Sequence, residues 1–402
     1  MEKTLLQMYR GGLFDHIGFG FCRYSTDKYF LVPHFEKMLY DNALLILAYC
    51  KAYTITHNNL YLEIAQKTAH YILREMTSPE GGFYSAQDAD SDGEEGKYYL
   101  FTPEEVTDLL GDKMGRAFNQ HFGITKKDKN IPHLLRSDPL DKTFDFLLPQ
   151  VAAYRKNRYH LHLDDKILTS WNSLMIAAMC RLYRVTSDPV YLETAKKADH
   201  FIQNNLLQDN TLFVSFRAAK RGVPGFLDDY SGYIFAQLAL YDATLEERYL
   251  TRAKDLCEYV FDSFGAGNGG FYMTSQNSES LILRVKETYD GAIPSGNSLM
   301  AWNLVRLSHP KAAAQLDFLA GEAGDQLSGH AMFLLSLLEY YEPPRKITIV
   351  LADPADNPTL PSDAIITLLH QPTQEYPLLN NKTTYYVCQG HSCQPPVNEL
   401  SE

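Results

Sequence analysis

The 402-residue sequence predicts an all-α fold of repeated helical hairpins, with polar loops gathered at one end. Three observations carry this. Three segments resemble one another at helical spacing: YLEIAQKTAHYIL from Tyr61, YLETAKKADHFIQ from Tyr191 and YLTRAKDLCEYVF from Tyr249. Each follows another apolar, helix-like stretch that begins about twenty residues earlier, so the repeating unit is two antiparallel helices. Glycine pairs followed by aromatic residues recur between the helix pairs, where a tight turn must send the chain into a loop.

The first pair opens at DNALLILAYCKAY from Asp41 and returns at Tyr61, where Leu62, Ala65, Ala69, Ile72, Leu73 and Met76 share one face. The second opens at Trp171, turns at Thr186-Ser187-Asp188-Pro189 and returns at Tyr191. The third opens at Asp229, and NSLMAWNLVRL from Asn297 starts a fourth. Gly11-Gly12-Leu13-Phe14, Gly81-Gly82-Phe83-Tyr84 and Gly269-Gly270-Phe271-Tyr272 head the intervening loops. KYYLFT from Lys97 reads as a strand, and Arg155-Lys156-Asn157-Arg158 as a solvated helix end. Beyond Arg345, KITIVLAD, AIITLLH and TYYVCQ read as short strands among prolines. The expected division is a helical body, 1–343, and a mixed appendage, 344–402.

Composition narrows the function. With 45% apolar and 21% charged residues the chain is globular, and its net charge of −12 lacks the basic footprint of a nucleic-acid or anionic-membrane binder. No apolar run approaches a membrane span, and the N-terminus has no signal-peptide pattern. Six cysteines, mostly far apart, suit a reduced cytoplasmic protein. Cys388 and Cys393, with His391 between them, read as a loop with two free thiols, because no second ligand pair would complete a metal site.

Polar residues crowd five stretches: 21–42, 85–96, 163–172, 225–233 and 286–298. Asp41, Asn172, Asp229 and Asn297 stand at helix starts, where such residues cap, but in a stack of hairpins the same positions would line one cavity. Carboxylates beside Tyr24, Tyr84, Trp171, Tyr230 and Tyr289 suit a polyhydroxylated ligand, with acids for hydroxyls and rings for sugar C–H faces. His34, two residues before Glu36, has the surroundings of a general base. Asp88-x-Asp90-x-Asp92-Gly93 begins like a calcium loop, but its twelfth position is Tyr99 and not Glu. Neither a metal nor a cofactor is expected.

VPHFEKMLYDN from Val32, FYSAQDADSDGEEGKYY from Phe83, DDKILTSWN from Asp164, FLDDY from Phe226 and KETYDGAIPSGNS from Lys286 resemble, in order, the motifs of one family. It is the thioredoxin-domain-containing family of spermatogenesis-associated protein 20 and its bacterial relatives. The resemblance runs from about Thr4 to Pro396. It implies that this chain is an α/α toroid of the six-hairpin glycosidase and N-acylglucosamine 2-epimerase kind. It also implies a thioredoxin-like domain and a first hairpin that these residues do not contain, hence an exposed apolar flank or a separate thioredoxin-like chain as partner. Two positions depart from the family pattern: Cys22 stands where histidine precedes Arg-Tyr-Ser, and Phe19 where glycine does.

The expected function is carbohydrate-related: a sugar epimerase, isomerase or glycoside hydrolase acting on a small sugar-like ligand. Its catalytic candidates are His34, Asp88, Asp90 and Asp229. Substrate-binding candidates are Arg23, Tyr24, Glu36, Asp41, Trp171, Asn172, Tyr230, Glu287, Asp290 and Asn297. The alternative is a non-catalytic scaffold that binds a ligand or protein while the thioredoxin-like chain does redox work.

Overall fold

In the computed structural model, which describes residues 1–400 apart from 128, 280, 281, 354, 357, 359, 362, 363 and 391, helices form where the apolar periodicity places them. The chain folds as two units, Met1–Ala178 with Ser215–Lys220, and Met179–Val214 with Arg221–Glu402.

In the first unit α1 (Glu2–Arg10) leads into the hairpin β1 (Tyr24–Ser25) and β2 (Pro33–His34), then β3 (Lys37–Met38). Helices α2 (Leu39–Thr56) and α3 (Asn59–Glu75) pack as the first hairpin. Strand β4 (Ala86–Gln87) lies between β3 and β7 (Leu163–Asp164), and β5 (Asp90–Ser91) folds back on β6 (Glu94–Glu95). Helices α4 (Pro103–Leu110) and α5 (Asp112–His121) pair, and α6 (Leu148–Arg158) follows. Strand β8 (Ile167–Leu168) pairs with β11 (Ser215–Arg217) and leads into α7 (Thr169–Thr186).

The second unit holds α8 (Pro189–Asn205), the hairpin β9 (Leu207–Gln208) and β10 (Thr211–Leu212), and, after β12 (Lys220–Arg221), α9 (Leu227–Thr244) packed on α10 (Glu247–Phe264). Helix α11 (Gly296–Arg306) packs on α9, α12 (Ala312–Ala323) and α13 (Ala331–Tyr341). The expected C-terminal strands are β13 (Lys346–Val350), β14 (Ile365–Leu369) and β15 (Thr384–Gln389). With β16 (Ser392–Cys393) they form one mixed sheet, in the order β14-β13-β15-β16. On α13, Leu334, Leu335, Leu338 and Tyr341 are exposed.

The hairpin turns share one chemistry. Thr56, Thr186 and Thr244 each donate to the carbonyl four residues back and accept the N–H two residues on. The residue between, His57, Ser187 or Leu245, takes the left-handed conformation that ends a helix. Asn58 and Asp188 then cap the returning helices through Leu60 and Val190 N–H.

The helix-start asparagines are not caps. Asn172, the fourth residue of α7, accepts the Phe83 N–H at 2.7 Å and donates to the Phe83 and Leu168 carbonyls, each at 2.9 Å. Asn42 holds Phe21 the same way, Asn297 holds Phe271, and in α9 the Tyr230 hydroxyl accepts the Leu212 N–H. Each inner helix thus pins the backbone of a loop. The matching glycine-aromatic pair of the first loop is therefore Gly20-Phe21, not Gly11-Gly12-Leu13-Phe14, whose Phe14 bridges to Phe21. Gly20 has φ +78, and a Cβ there would lie 2.4 Å from the Tyr71 ring, so no other residue fits.

Two further expectations fail locally. Lys97–Tyr99 is a turn of 3-10 helix and not a strand. The Arg155-Lys156-Asn157-Arg158 end of α6 is not solvated throughout, since Arg155 is buried against Asp15 and Arg158 donates to Glu105 and to the Tyr98 and Leu100 carbonyls. Both arginines find fixed oxygens for their two terminal nitrogens.

Asn172→Leu removes the pin while stranding the buried Phe83 N–H and carbonyl. It should cost about 2–4 kcal/mol in urea unfolding; an unchanged midpoint would contradict the pin.

Candidate functional site

The polar residues that gather into one place lie in the first unit. The β1–β2 register sets Tyr24 opposite His34, their rings 5.2 Å apart. Asp27 shapes the connecting loop by accepting the Tyr29, Leu31 and Val32 N–H groups. Burial favours the neutral acid slightly, but these bonds outweigh it and hold the carboxyl below its usual range. The hairpin is thereby stiff enough to aim His34.

His34 Nδ1 meets Glu95 Oε1 at 2.6 Å. A carboxylate there accepts, so Nδ1 carries the proton and Nε2 is left as the basic nitrogen. Nε2 stands 3.7 Å from Glu36, too far for a direct bond. Arg23 joins Glu36 at 3.2 Å and donates to the Tyr40 hydroxyl at 3.2 Å. The Tyr40 ring meets Trp171 edge-on at 4.7 Å. Beside Tyr40, Asp41 is largely buried, and its Oδ2 has no hydrogen-bond partner. Burial pushes the Asp41 carboxyl up to about 7; Arg23 opposes the displacement and Glu36 adds to it. Among the calls made from sequence, Arg23, Tyr24, His34, Glu36, Asp41 and Trp171 thus belong to one linked cluster.

The remaining calls fall elsewhere. Asp88 and Asp90 are exposed, and Asp88 accepts the Asp90 N–H. Asp92 and Gly93, with φ of 52 and 77, form the two-residue turn of the β5–β6 hairpin, so the calcium-like pattern is a turn signal. Asn172 and Asn297 have both amide hydrogens spent on backbone, which corrects their reading as substrate contacts. Tyr230 is corrected likewise: it is buried, its hydroxyl bonded to Leu212 and Asn210 backbone. Asp229 accepts the Phe226 N–H at its helix start. Asp290 accepts Ser295, Met332 and Phe333 N–H groups, the last two at the start of α13, where a carboxylate faces the helix dipole. Glu287 is exposed and accepts the Tyr289 N–H.

Two participants were missed. Glu95 had a signal, since Asp92-Gly93 predicts a hairpin that returns Glu95 toward the chain before it. Tyr40 had none beyond its neighbours. Cys22 is buried and its thiol is pushed up to about 12 by burial, so it does not stand in chemically for the histidine that the resemblance implies at this position. Cys388 and Cys393 are joined in a disulfide and not free: the β15–β16 register sets them directly opposite. His391 lies outside the described residues. Among the described residues no group of three metal-ligating side chains gathers, and no helix is long and apolar enough to cross a membrane.

No family model matches the chain. A crystal structure of a sugar epimerase from a ruminal bacterium superposes with a TM-score of 0.50 at 15% identity, covering 84% of this chain and 71% of that one. The fold is therefore an α/α toroid, as the hairpin repeats and the family resemblance implied. The chain is homologous to spermatogenesis-associated protein 20 over its whole length: the rat protein is 28% identical across 99% of this chain. The mouse protein is 31% identical across 76% of it. The chain spans 61% of the length of the rat protein and 45% of the mouse alignment partner.

Because Asp41 binds its proton more tightly folded than unfolded, the native state holds more protons between about pH 4 and 7. Wild-type stability should then fall, relative to Asp41→Asn, as pH rises through that window, by as much as about 4 kcal/mol, and stay level above it. Urea unfolding of both proteins at pH 5 and pH 8 checks this; parallel stabilities would contradict it.

Proposed function

We propose that the protein is a carbohydrate-active enzyme of the epimerase or isomerase type, working at the cluster from Arg23 to Glu95. The observation that carries this reading is a histidine held in one tautomer by Glu95 and linked through Glu36 and Arg23 to a largely buried carboxyl poised near neutrality, among Tyr24, Tyr40 and Trp171. His34 Nε2 removes the proton from the carbon next to a sugar carbonyl. The imidazolium that forms is stabilised by Glu95 at Nδ1 and Glu36 near Nε2. Arg23 offsets the charge that develops on the carbonyl oxygen. Asp41, half protonated near pH 7, gives a proton to that oxygen or back to the carbon. Asp88 and Asp90, exposed on the next hairpin, meet the sugar hydroxyls at the rim. This chemistry moves only protons and calls for no cofactor. The ruminal epimerase shares the fold, which is compatible with proton transfer. Two carboxylates set for hydrolysis find less support, because Asp229 and Asp290 are spent on backbone N–H groups. Four of the six cysteines are buried outside any disulfide, which agrees with a cytoplasmic setting.

One observation favours a second reading, a scaffold for a separate thioredoxin-like chain: the exposed apolar face of α13. That reading requires no turnover.

Incubation with reducing mono- and disaccharides, followed by chromatography of the products, separates the two. The enzyme reading expects a 2-epimer or ketose, a kcat loss of roughly 10²–10⁴-fold for His34→Gln, and a raised KM for Trp171→Ala. No product from any sugar would remove it.

A further inference from the structure

Of the six cysteines, Cys22, Cys50, Cys180 and Cys257 are buried and outside any disulfide, and burial pushes the thiols of Cys22, Cys180 and Cys257 up. Cys388 and Cys393 differ in three respects. They are bonded to each other, Cys393 is exposed, and they sit in register on neighbouring strands at the edge of the C-terminal sheet. The register also sets Lys346 of β13 opposite Cys388. Directly opposed residues of an antiparallel pair project to the same face, so Lys346, Cys388 and Cys393 form one row across three strands. An ammonium beside an accessible sulfur is the environment that favours thiolate.

The bond contributes little to holding the sheet. It closes a loop of only five residues' separation, which removes little chain entropy. Backbone bonds keep the same hairpin without it. Gln394 N–H donates to the Val387 carbonyl, and Tyr385 and Val397 exchange bonds in both directions. Asn398 donates to the Leu379 and Thr383 carbonyls.

We propose that Cys388–Cys393 is a reversible dithiol–disulfide site that exchanges with an external dithiol while the fold persists. A thiolate of the reductant attacks Cys393 Sγ, the exposed sulfur; a mixed disulfide forms and the Cys388–Cys393 bond breaks. Cys388 leaves as a thiolate on the face that carries Lys346. The second thiol of the reductant then attacks its own sulfur of the mixed disulfide and releases Cys393. Two electrons pass to the protein, the two thiol protons of the reductant end on Cys388 and Cys393, and the reductant departs as its disulfide. One equivalent of oxidised glutathione drives the reverse: a protein thiolate attacks it and releases one reduced glutathione, and the second protein thiolate then closes the disulfide and releases the other.

Dithiothreitol on the full native chain tests this, with maleimide mass-tagging of each cysteine and a melting curve in each state. Two of six cysteines, 388 and 393, should become labelled after reduction and stay unlabelled when oxidised glutathione is added before the maleimide, with the melting temperature moved by no more than about 2 °C. Lys346→Met should slow reduction roughly threefold and Lys346→Glu more, through the poorer leaving thiolate. Reduction only at denaturant concentrations that unfold the chain would show a structural staple and overturn the proposal. So would labelling of the other four cysteines at the same rate, failure of oxidised glutathione to re-form the bond, or rates indifferent to both Lys346 variants.

Discussion

The carboxylate of Asp15, buried between Arg155 and Lys37, is the interaction on which the rest of the first unit depends. Arg155 grips both of its oxygens at 2.9 and 2.8 Å, and Lys37 adds a third contact at 2.8 Å. Burial alone would raise the Asp15 carboxyl, but the two cations overrule it and hold it far below its usual range. Lys37 also donates to the Phe19 carbonyl at 2.7 Å and lies over the Tyr71 ring at 4.4 Å. Burial nonetheless lowers the Lys37 ammonium, against the pull of Asp15. A buried group of this kind adds little net stability over an apolar core, but once present none of its members is dispensable. What it contributes is placement. Lys37 follows His34, Phe35 and Glu36, so anchoring its side chain inward turns Glu36 outward to Arg23 and fixes the strand that aims His34.

That anchoring explains the odd backbone of the preceding loop. Phe19 has φ 67, a conformation that glycine takes freely and that phenylalanine adopts at a cost. Its carbonyl is one of the two oxygens that Lys37 reaches, and its ring packs against Phe14 and His70. Glycine at this position would meet the same demand without strain. Cys22, two residues after Gly20, lies in the same interior, which is why its thiol is inert while Arg23 and Tyr24 face the site.

How much of this was legible depends on whether the signal was local. Helix pairs were, because apolar periodicity and the Thr-x-Asp turn are properties of a dozen neighbouring residues. The strands of the C-terminal sheet were readable for the same reason, though their mixed order was not. Asn172 and Asn297 looked like caps because their type and position fit one, yet their partners, Phe83 and Phe271, lie in loops far back along the chain. Arg155 looked solvated because nothing near it in sequence tells of Asp15, 140 residues away. The acidic run from Asp88 to Glu95 was read as a block of carboxylates, when Asp92-Gly93 divides it into two strands and only Glu95 returns to His34. Half of the candidate site was therefore visible as residue types in one motif. The roles of Glu95 and Tyr40 required the fold.

In the proposed reading the cluster supplies the parts for moving one proton: a base of fixed tautomer, a carboxyl near its midpoint at neutral pH, a cation and aromatic walls. The most direct measurement is proton NMR of a reducing sugar, such as glucose or cellobiose, held with the protein in D2O. Proton abstraction by His34 predicts loss of the C2–H signal as deuterium enters that carbon, at a rate that collapses in His34→Gln. Retention of the C2–H signal in every sugar, with the protein folded throughout, would contradict the account.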